Sequence, residues 1–252
     1  SEGFKAMVMG LREGMTDFDA CRLLGYNGLP LCCHPTFVTA ATRDRGLSGP
    51  IGAVLRRGDP FAGNFGYWGS NTCRAGWLVR EESELPQDAR DFVPAFAGPY
   101  FEAMGDWFRL LRTGTTGDAL YHAIQDKLPF DRFGIVLNPG HLIHWDEWLS
   151  APVYAGSTIV LKSGMAIEAD VIPSSKTYFS TRLEDSYALA DAGLRLELER
   201  RYPACLKRCQ ARRRFMMETL GFELSEEVLP LSNMCGIAPP FYLRPERILT
   251  LR

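Results

Sequence analysis

Apolar residues at helical spacing alternate along the chain with short β-branched and aromatic runs, and the alternation occurs twice. LREGMT begins at Leu11 and LRTGTT at Leu111, so Leu-Arg-x-Gly-x-Thr recurs at a spacing of 100 residues. In both places a helical pattern ends at a glycine, Gly14 or Gly114, which can take the left-handed cap. Thr16 or Thr116 can then cap the helix that follows. After the first unit come β-like runs, HPTFVTA from His34 and IGAVLRRGDPFAGNFGYWGS from Ile51, punctuated by Gly and Pro. Helical patterns cover 99–111 and 118–128, β-like runs follow at 133–137, 157–161, 165–172 and 178–182, and helices close the chain at 189–200 and 203–220. The pattern predicts one α+β domain over 1–252, with pseudo-repeats at about 1–100 and 101–252 and helices on the outer face of a curved antiparallel sheet.

With 252 residues, 46% of them apolar, the chain can bury a large core. Its 28 Lys and Arg against 30 Asp and Glu leave a net charge of -2, which points away from nucleic acid or an anionic membrane as partner. The basic run ERRYPACLKRCQARRR from Glu199 carries apolar residues at helical spacing and reads as a solvated helix face. Seven cysteines is an odd number, and neither the Cys32–Cys33 pair nor the Cys205–Cys209 step has the spacing of a zinc site or a disulfide framework. Reduced thiols and a cytoplasmic location are the expectation. No run reaches the roughly 18 apolar residues of a membrane span, and no signal peptide is visible. The chain opens at Ser1, which suggests a processed product or a fragment.

Candidate chemistry is concentrated in four stretches: GNFGYWGSN from Gly63, GHLIH from Gly140, GMAIEADVIP from Gly164 and TRLED from Thr181. The second lies within NPGHLIHWDEWL, which holds two of the chain's four histidines, His141 and His144, beside Asp146 and Glu147. At period 2, Glu168 and Asp170 face one way along a strand, as do Arg182 and Glu184. Acidic side chains aimed into a concave sheet face are costly unless they pair or bind a cation. Asp146 and Glu147 read as caps of a loop or helix, and His34 after two cysteines lacks the second ligand cluster a zinc site needs.

The order G-H-x-I, then L-x-S-G-M with an acid and a proline beyond, then R-L-E-D resembles the second half of the pita-bread family. That family includes aminopeptidase P, prolidase, methionine aminopeptidase and creatinase. GMTDFDA, GDPFAGNFG and GSNTCRAG resemble segments of its first half, so the likeness spans nearly the whole chain. The resemblance implies a pita-bread fold, a homodimer and, in relatives of creatinase type, a separate N-terminal domain that this chain lacks. It also places the family's five metal ligands on Asn64, Asn71, His141, Asp170 and Glu184. The family pattern is Asp, Asp, His, Glu, Glu, so both early aspartates are amides here and one glutamate is a shorter acid.

Those departures reduce the carboxylates facing two divalent ions from four to two. An amide oxygen does not bridge two cations as a carboxylate does, so a dinuclear centre is not expected. Trp148 stands where the family places a further histidine, and another family histidine falls around Gly49 and Pro50.

The resemblance therefore implies a creatinase- or aminopeptidase-P-like hydrolase of a C–N bond in a small nitrogenous or peptide-like substrate, with no dinuclear metal, little or no metal at all, and no cofactor expected. In that reading His141 relays a proton, Asp170 and Glu184 hold a cationic group, and Arg182 anchors a carboxylate, with Asn64, Asn71 and His144 also on the substrate side. Two alternatives stay open. One is a mononuclear metallo-aminopeptidase or prolidase with a single Mn, Zn or Fe ion on His141, Asp170 and Glu184. The other is a non-catalytic binding module on the same scaffold.

Overall fold

A computed structural model describes residues 1–251. Helices α1 (Glu2–Gly10) and α2 (Asp17–Leu23) precede strands β1 (Thr36–Val38), β2 (Pro60–Phe65) and β3 (Thr72–Trp77). Helices α3 (Gly98–Leu110), α4 (Gly117–Gln125) and the short α5 (Phe130–Phe133) follow, then β4 (His141–Leu142), β5 (Ala166–Glu168) and β6 (Arg182–Leu189). The described chain closes with α6 (Ala192–Arg201), α7 (Pro203–Glu218) and β7 (Val228–Pro230). The strands form one curled sheet in the order β1-β2-β3-β6-β5-β4, with β7 also on β6, and every named pairing is antiparallel.

The two helix–Gly–Thr–helix units make matching contacts. Gly14 and Gly114 both have φ of 87°, a conformation that disfavours any residue with a Cβ. Each glycine N–H donates to a carbonyl 2.9 Å away, Leu55 in one unit and Leu161 in the other. Thr16 accepts from the Asp19 N–H within a capping box, and Thr116 accepts from the Ala119 N–H. Each threonine also forms an isolated antiparallel bridge, to Val54 or Val160. The two glycines and two threonines that mark the sequence echo are thus the residues that fix each helix pair to its own following loop.

Strand β6 shows why the sheet has a polar face. Its sequence RLEDSYAL alternates, so Leu183, Tyr187 and Leu189 point into the main core while Arg182, Glu184 and Ser186 point the other way. Tyr187 packs on Phe108 of α3 with ring centroids 5.0 Å apart, and Phe101, Met104 and Trp107 of the same helix are buried beside it. Each such side chain contributes about 2 kcal/mol by leaving water, before ordering entropy is counted. Trp107 also donates its indole N–H to the Pro139 carbonyl at 2.9 Å, which anchors the chain just ahead of His141.

Several elements differ from the sequence expectation. Residues 133–137 form no strand: the chain leaves α5 through Gly134 in the left-handed conformation. Residues 157–161 hold only the bridge at Val160, and 178–182 turn through Phe179, whose φ is 65°, before β6 begins. Leu189, expected to open a helix, ends β6, and α6 starts at Ala192 after its cap Asp191. Residues 157–161 bond instead to the turn at 114–117, with Gly114 N–H donating to the Leu161 carbonyl and Gly117 N–H to that of Ile159, and Phe179 bonds back to Ser175, so these runs make local bridges and not sheet strands. All seven cysteines are free thiols, and among the described residues no helix is long and apolar enough to cross a membrane.

Candidate active site

Strand register gathers the candidate residues onto one face. Thr36 pairs with Asn64, Asn64 with Cys73 and Cys73 with Glu184, one row across β1, β2, β3 and β6. Two residues further along β6, Ser186 pairs with Glu168 and Glu168 with His141. Asn71 sits just before β3 and Asp170 just after β5, so both flank these rows.

Four side chains converge. One ligating atom each from His141, Glu147, Asp170 and Glu184 lie within 4.8 Å of one another. His141 Nε2 is 3.0 Å from Glu147 Oε1 and 3.6 Å from Asp170 Oδ2. Neither oxygen lies in line for a hydrogen bond, so this buried nitrogen has no hydrogen-bond partner, and Asp170 Oδ1 has none either. The other ring nitrogen, Nδ1, is 3.2 Å from the Leu142 carbonyl. A proton on Nδ1 held by that carbonyl leaves Nε2 aimed at the carboxylates, the orientation of a metal-ligating histidine once a cation displaces the Nε2 proton.

The charge balance explains the titration behaviour. Burial opposes the imidazolium, but the adjacent Asp170 and Glu147 carboxylates raise His141 to about 11. Burial, then the charges of Asp170, Glu168 and Glu147, holds the Glu184 carboxyl well above its ordinary range. Burial also raises Glu168 to about 8, although Ser186 and the Asn71 backbone N–H both donate to it. In the absence of a cation Glu184 and Glu168 retain protons that isolated carboxyls would release.

The two amides occupy the rest of the expected ligand set, and their atoms are already committed. Asn64 Oδ1 accepts from the Thr36 N–H at 2.6 Å and from the Thr36 hydroxyl. Its Nδ2 donates to Cys33 Sγ at 3.1 Å and to Asn71 Oδ1 at 3.4 Å, and Asn71 Nδ2 donates to Glu184 Oε1 at 2.7 Å. Turning Asn71 over would set two acceptor oxygens against each other. The donor set therefore fits one divalent cation on the imidazole and carboxylates, and it does not fit a second on the amides.

Arg182 lies on the same face, with Nε 3.2 Å from Ser180 Oγ and Nη1 3.5 Å from Cys73 Sγ. Burial works against its charge, while Cys73, Glu184 and Asp170 raise its pKa. His144 is not drawn into the cluster: it is exposed, its ring 5.3 Å from that of Trp145. Trp148 covers His141 with ring centroids 4.3 Å apart. Glu147, read from sequence as a cap, is the residue that sequence reasoning missed. Only the reversal of the chain between Leu142 and Ser150 brings its carboxylate back to the imidazole, and no local pattern in the sequence marks that reversal.

No protein-family model matches the sequence, and no curated protein matches it. Solved structures do match in fold. The X-Pro aminopeptidase of Thermotoga maritima aligns with TM-score 0.62 at 16% identity, covering 75% of this chain and 54% of that one. The Xaa-Pro dipeptidase of Bacillus anthracis gives 0.63 at 15% identity over 76% and 54%, and the prolidase of Pyrococcus horikoshii 0.61 at 15% over 75% and 55%. The chain spans about half the length of these structures. Its fold is the pita-bread fold, an α+β architecture with a curled antiparallel sheet.

Proposed function

We propose that this chain is a hydrolase of a C–N bond in a peptide-like or small nitrogenous substrate, working with one divalent cation held by His141, Asp170 and Glu184. The observation that carries the proposal is the convergence of an unpaired imidazole nitrogen with buried carboxylates on the concave face of a fold shared with X-Pro peptidases. Such an ion, when bound, polarises a carbonyl and makes a nucleophilic water available near neutral pH. Manganese, zinc and iron all suit nitrogen and carboxylate donors.

The chain's own residues do the rest. His141 is oriented by the Leu142 carbonyl on one side and Trp148 on the other. Asn71 and, through it, Asn64 hold Glu184 in place. Arg182 supplies a cation for a substrate carboxylate, and His144 stands at the exposed rim. A homodimer with one such site per chain is the expected assembly, each chain a single domain of two pseudo-repeats.

The test is hydrolysis of a panel of Xaa-Pro dipeptides and small amidino or ureido compounds with manganese or zinc present. Turnover that falls at least about a hundredfold in His141→Ala supports the assignment, and turnover unchanged in that variant overturns it.

One observation favours a second reading, a non-catalytic binding module. His141, Asp170 and Glu184 are 0%, 3% and 4% exposed beneath Trp148, so a substrate has little access in this conformation. Absence of turnover across the panel, together with a specific protein partner whose binding survives His141→Ala, would select it.

A further inference from the structure

Residues 144–149 form the tip of a loop whose base is closed by two hydrogen bonds, Leu142 N–H to the Ser150 carbonyl at 2.7 Å and Leu149 N–H to the Leu142 carbonyl at 3.0 Å. The tip lies over the carboxylate–imidazole cluster. Trp148 covers the His141 ring, and Trp145 stacks on Trp68 of the β2–β3 turn with centroids 5.6 Å apart. The Glu147 N–H reaches the Cys32 carbonyl at 3.3 Å. These ties are few: Trp68 and Trp145 are 54% and 63% exposed, and Glu147 is the one side chain of the tip that enters the buried cluster.

We propose that Glu147 is the fourth ligand of the cation and that the bound ion fastens residues 144–149 over the site as a roof. The inference rests on the single-cation reading above and adds to it a ligand from outside the expected set. The reason is coordination number. With Asn64 and Asn71 neutral, Asp170 and Glu184 alone bring two negative charges, matching one divalent ion, but with His141 they fill only three positions. Glu147 approaches His141 Nε2 to 3.0 Å and completes a four-donor set of one nitrogen and three carboxylates. Two of the three other donors lie on strands of the sheet and Asp170 directly beyond one, whereas Glu147 lies on the loop. Binding of the ion therefore couples a rigid floor to a loosely tied cover.

The coupling is tested by calorimetric titration of the full chain with manganese or zinc, in parallel with hydrogen exchange at residues 144–149. Wild type is expected to bind one ion and to gain amide protection across the tip on binding. Glu147→Gln is expected to bind at least about tenfold more weakly and to gain no protection there. Glu147→Asp, which keeps the charge and shortens the reach, is expected to fall between them and serves if the glutamine variant does not fold. An affinity for Glu147→Gln or Glu147→Asp within about twofold of wild type, with His141→Ala binding abolished, overturns the role of Glu147 and leaves the single-cation reading intact. Wild type that binds no ion, or His141→Ala that binds as tightly as wild type, overturns both.

Discussion

The side-chain amide of Asn71 donates to Glu184 Oε1 at 2.7 Å, so the position at which relatives of this fold are expected to offer a carboxylate offers an N–H instead. One hydrogen bond thereby neutralises part of a buried acidic cluster without a metal and removes a bridging ligand. Asn71→Asp reverses this. It places a second carboxylate against Glu184 in a buried site, and the metal-free variant is expected to lose about 3 kcal/mol in urea unfolding. Added manganese should restore more stability to this variant than to wild type, with Asn64→Asp,Asn71→Asp binding two ions. Equal stability of wild type and Asn71→Asp without metal would contradict the arrangement.

The metal-free protein should be most stable in mild acid. Glu168 stays protonated up to about 8 in the fold, against an ordinary value of 4.5, so the unfolded chain releases that proton first as the pH rises. His141 is raised to about 11 from 6.5, so its contribution is whole below 6.5 and is lost as the pH rises through 11. Glu168 lowers stability with rising pH above about 4.5, and His141 adds to the loss above about 6.5. Thermal unfolding with a chelator present should show Tm falling between about pH 5 and about pH 8. A divalent ion should reduce that slope, because its binding displaces the proton from His141.

Gly140 has φ of 124°, and a Cβ there would lie 3.1 Å from Trp107 Cζ2 and 3.2 Å from the Glu168 carbonyl oxygen. Gly140→Ala is expected to cost about 3 kcal/mol and, by displacing the adjacent His141, to weaken cation binding. Gly156→Ala is the control, since its φ of 76° carries strain but its Cβ would meet nothing within 4 Å, so about 1 kcal/mol and unchanged binding are expected.

Arg74 is fully buried, paired with Asp185, and donates to the carbonyls of Cys73, Glu184, Met234 and Ile237. It binds the back of the Glu184 strand to the C-terminal segment. Arg74→Met should destabilise the protein by about 3–5 kcal/mol, because Asp185 is left buried without its cation. Adding Asp185→Asn should recover part of the loss, and failure of the pair to couple in a double-mutant cycle would show that the ion pair is not the main link.

The polar face was legible in the sequence because period 2 sets Arg182 and Glu184 on one side and Glu168 and Asp170 on one side, and the G-H-x-I, G-M and R-L-E-D segments carry the resemblance, although the strand expected at 178–182 runs instead over Arg182–Leu189. The two helix pairs were legible because Gly14 with Thr16, and Gly114 with Thr116, are local signals that need no tertiary partner. Residues 133–137 and 157–161 misled, since an apolar run also serves to leave a helix through Gly134 or to bond a neighbouring turn, as 157–161 does with 114–117. Glu147 was hidden for the opposite reason: its neighbours Asp146 and Trp148 read as a surface loop, and only the reversal of the chain between His141 and Ser150 brings its carboxylate inward.

In the proposed reading this pita-bread site holds one cation, where carboxylates in place of Asn64 and Asn71 would let it hold two. Elemental analysis of protein loaded with excess manganese or zinc and then freed of unbound ion measures this directly. One ion per chain is the expected result, falling to none in His141→Ala, whereas two ions per wild-type chain, or none, would contradict it.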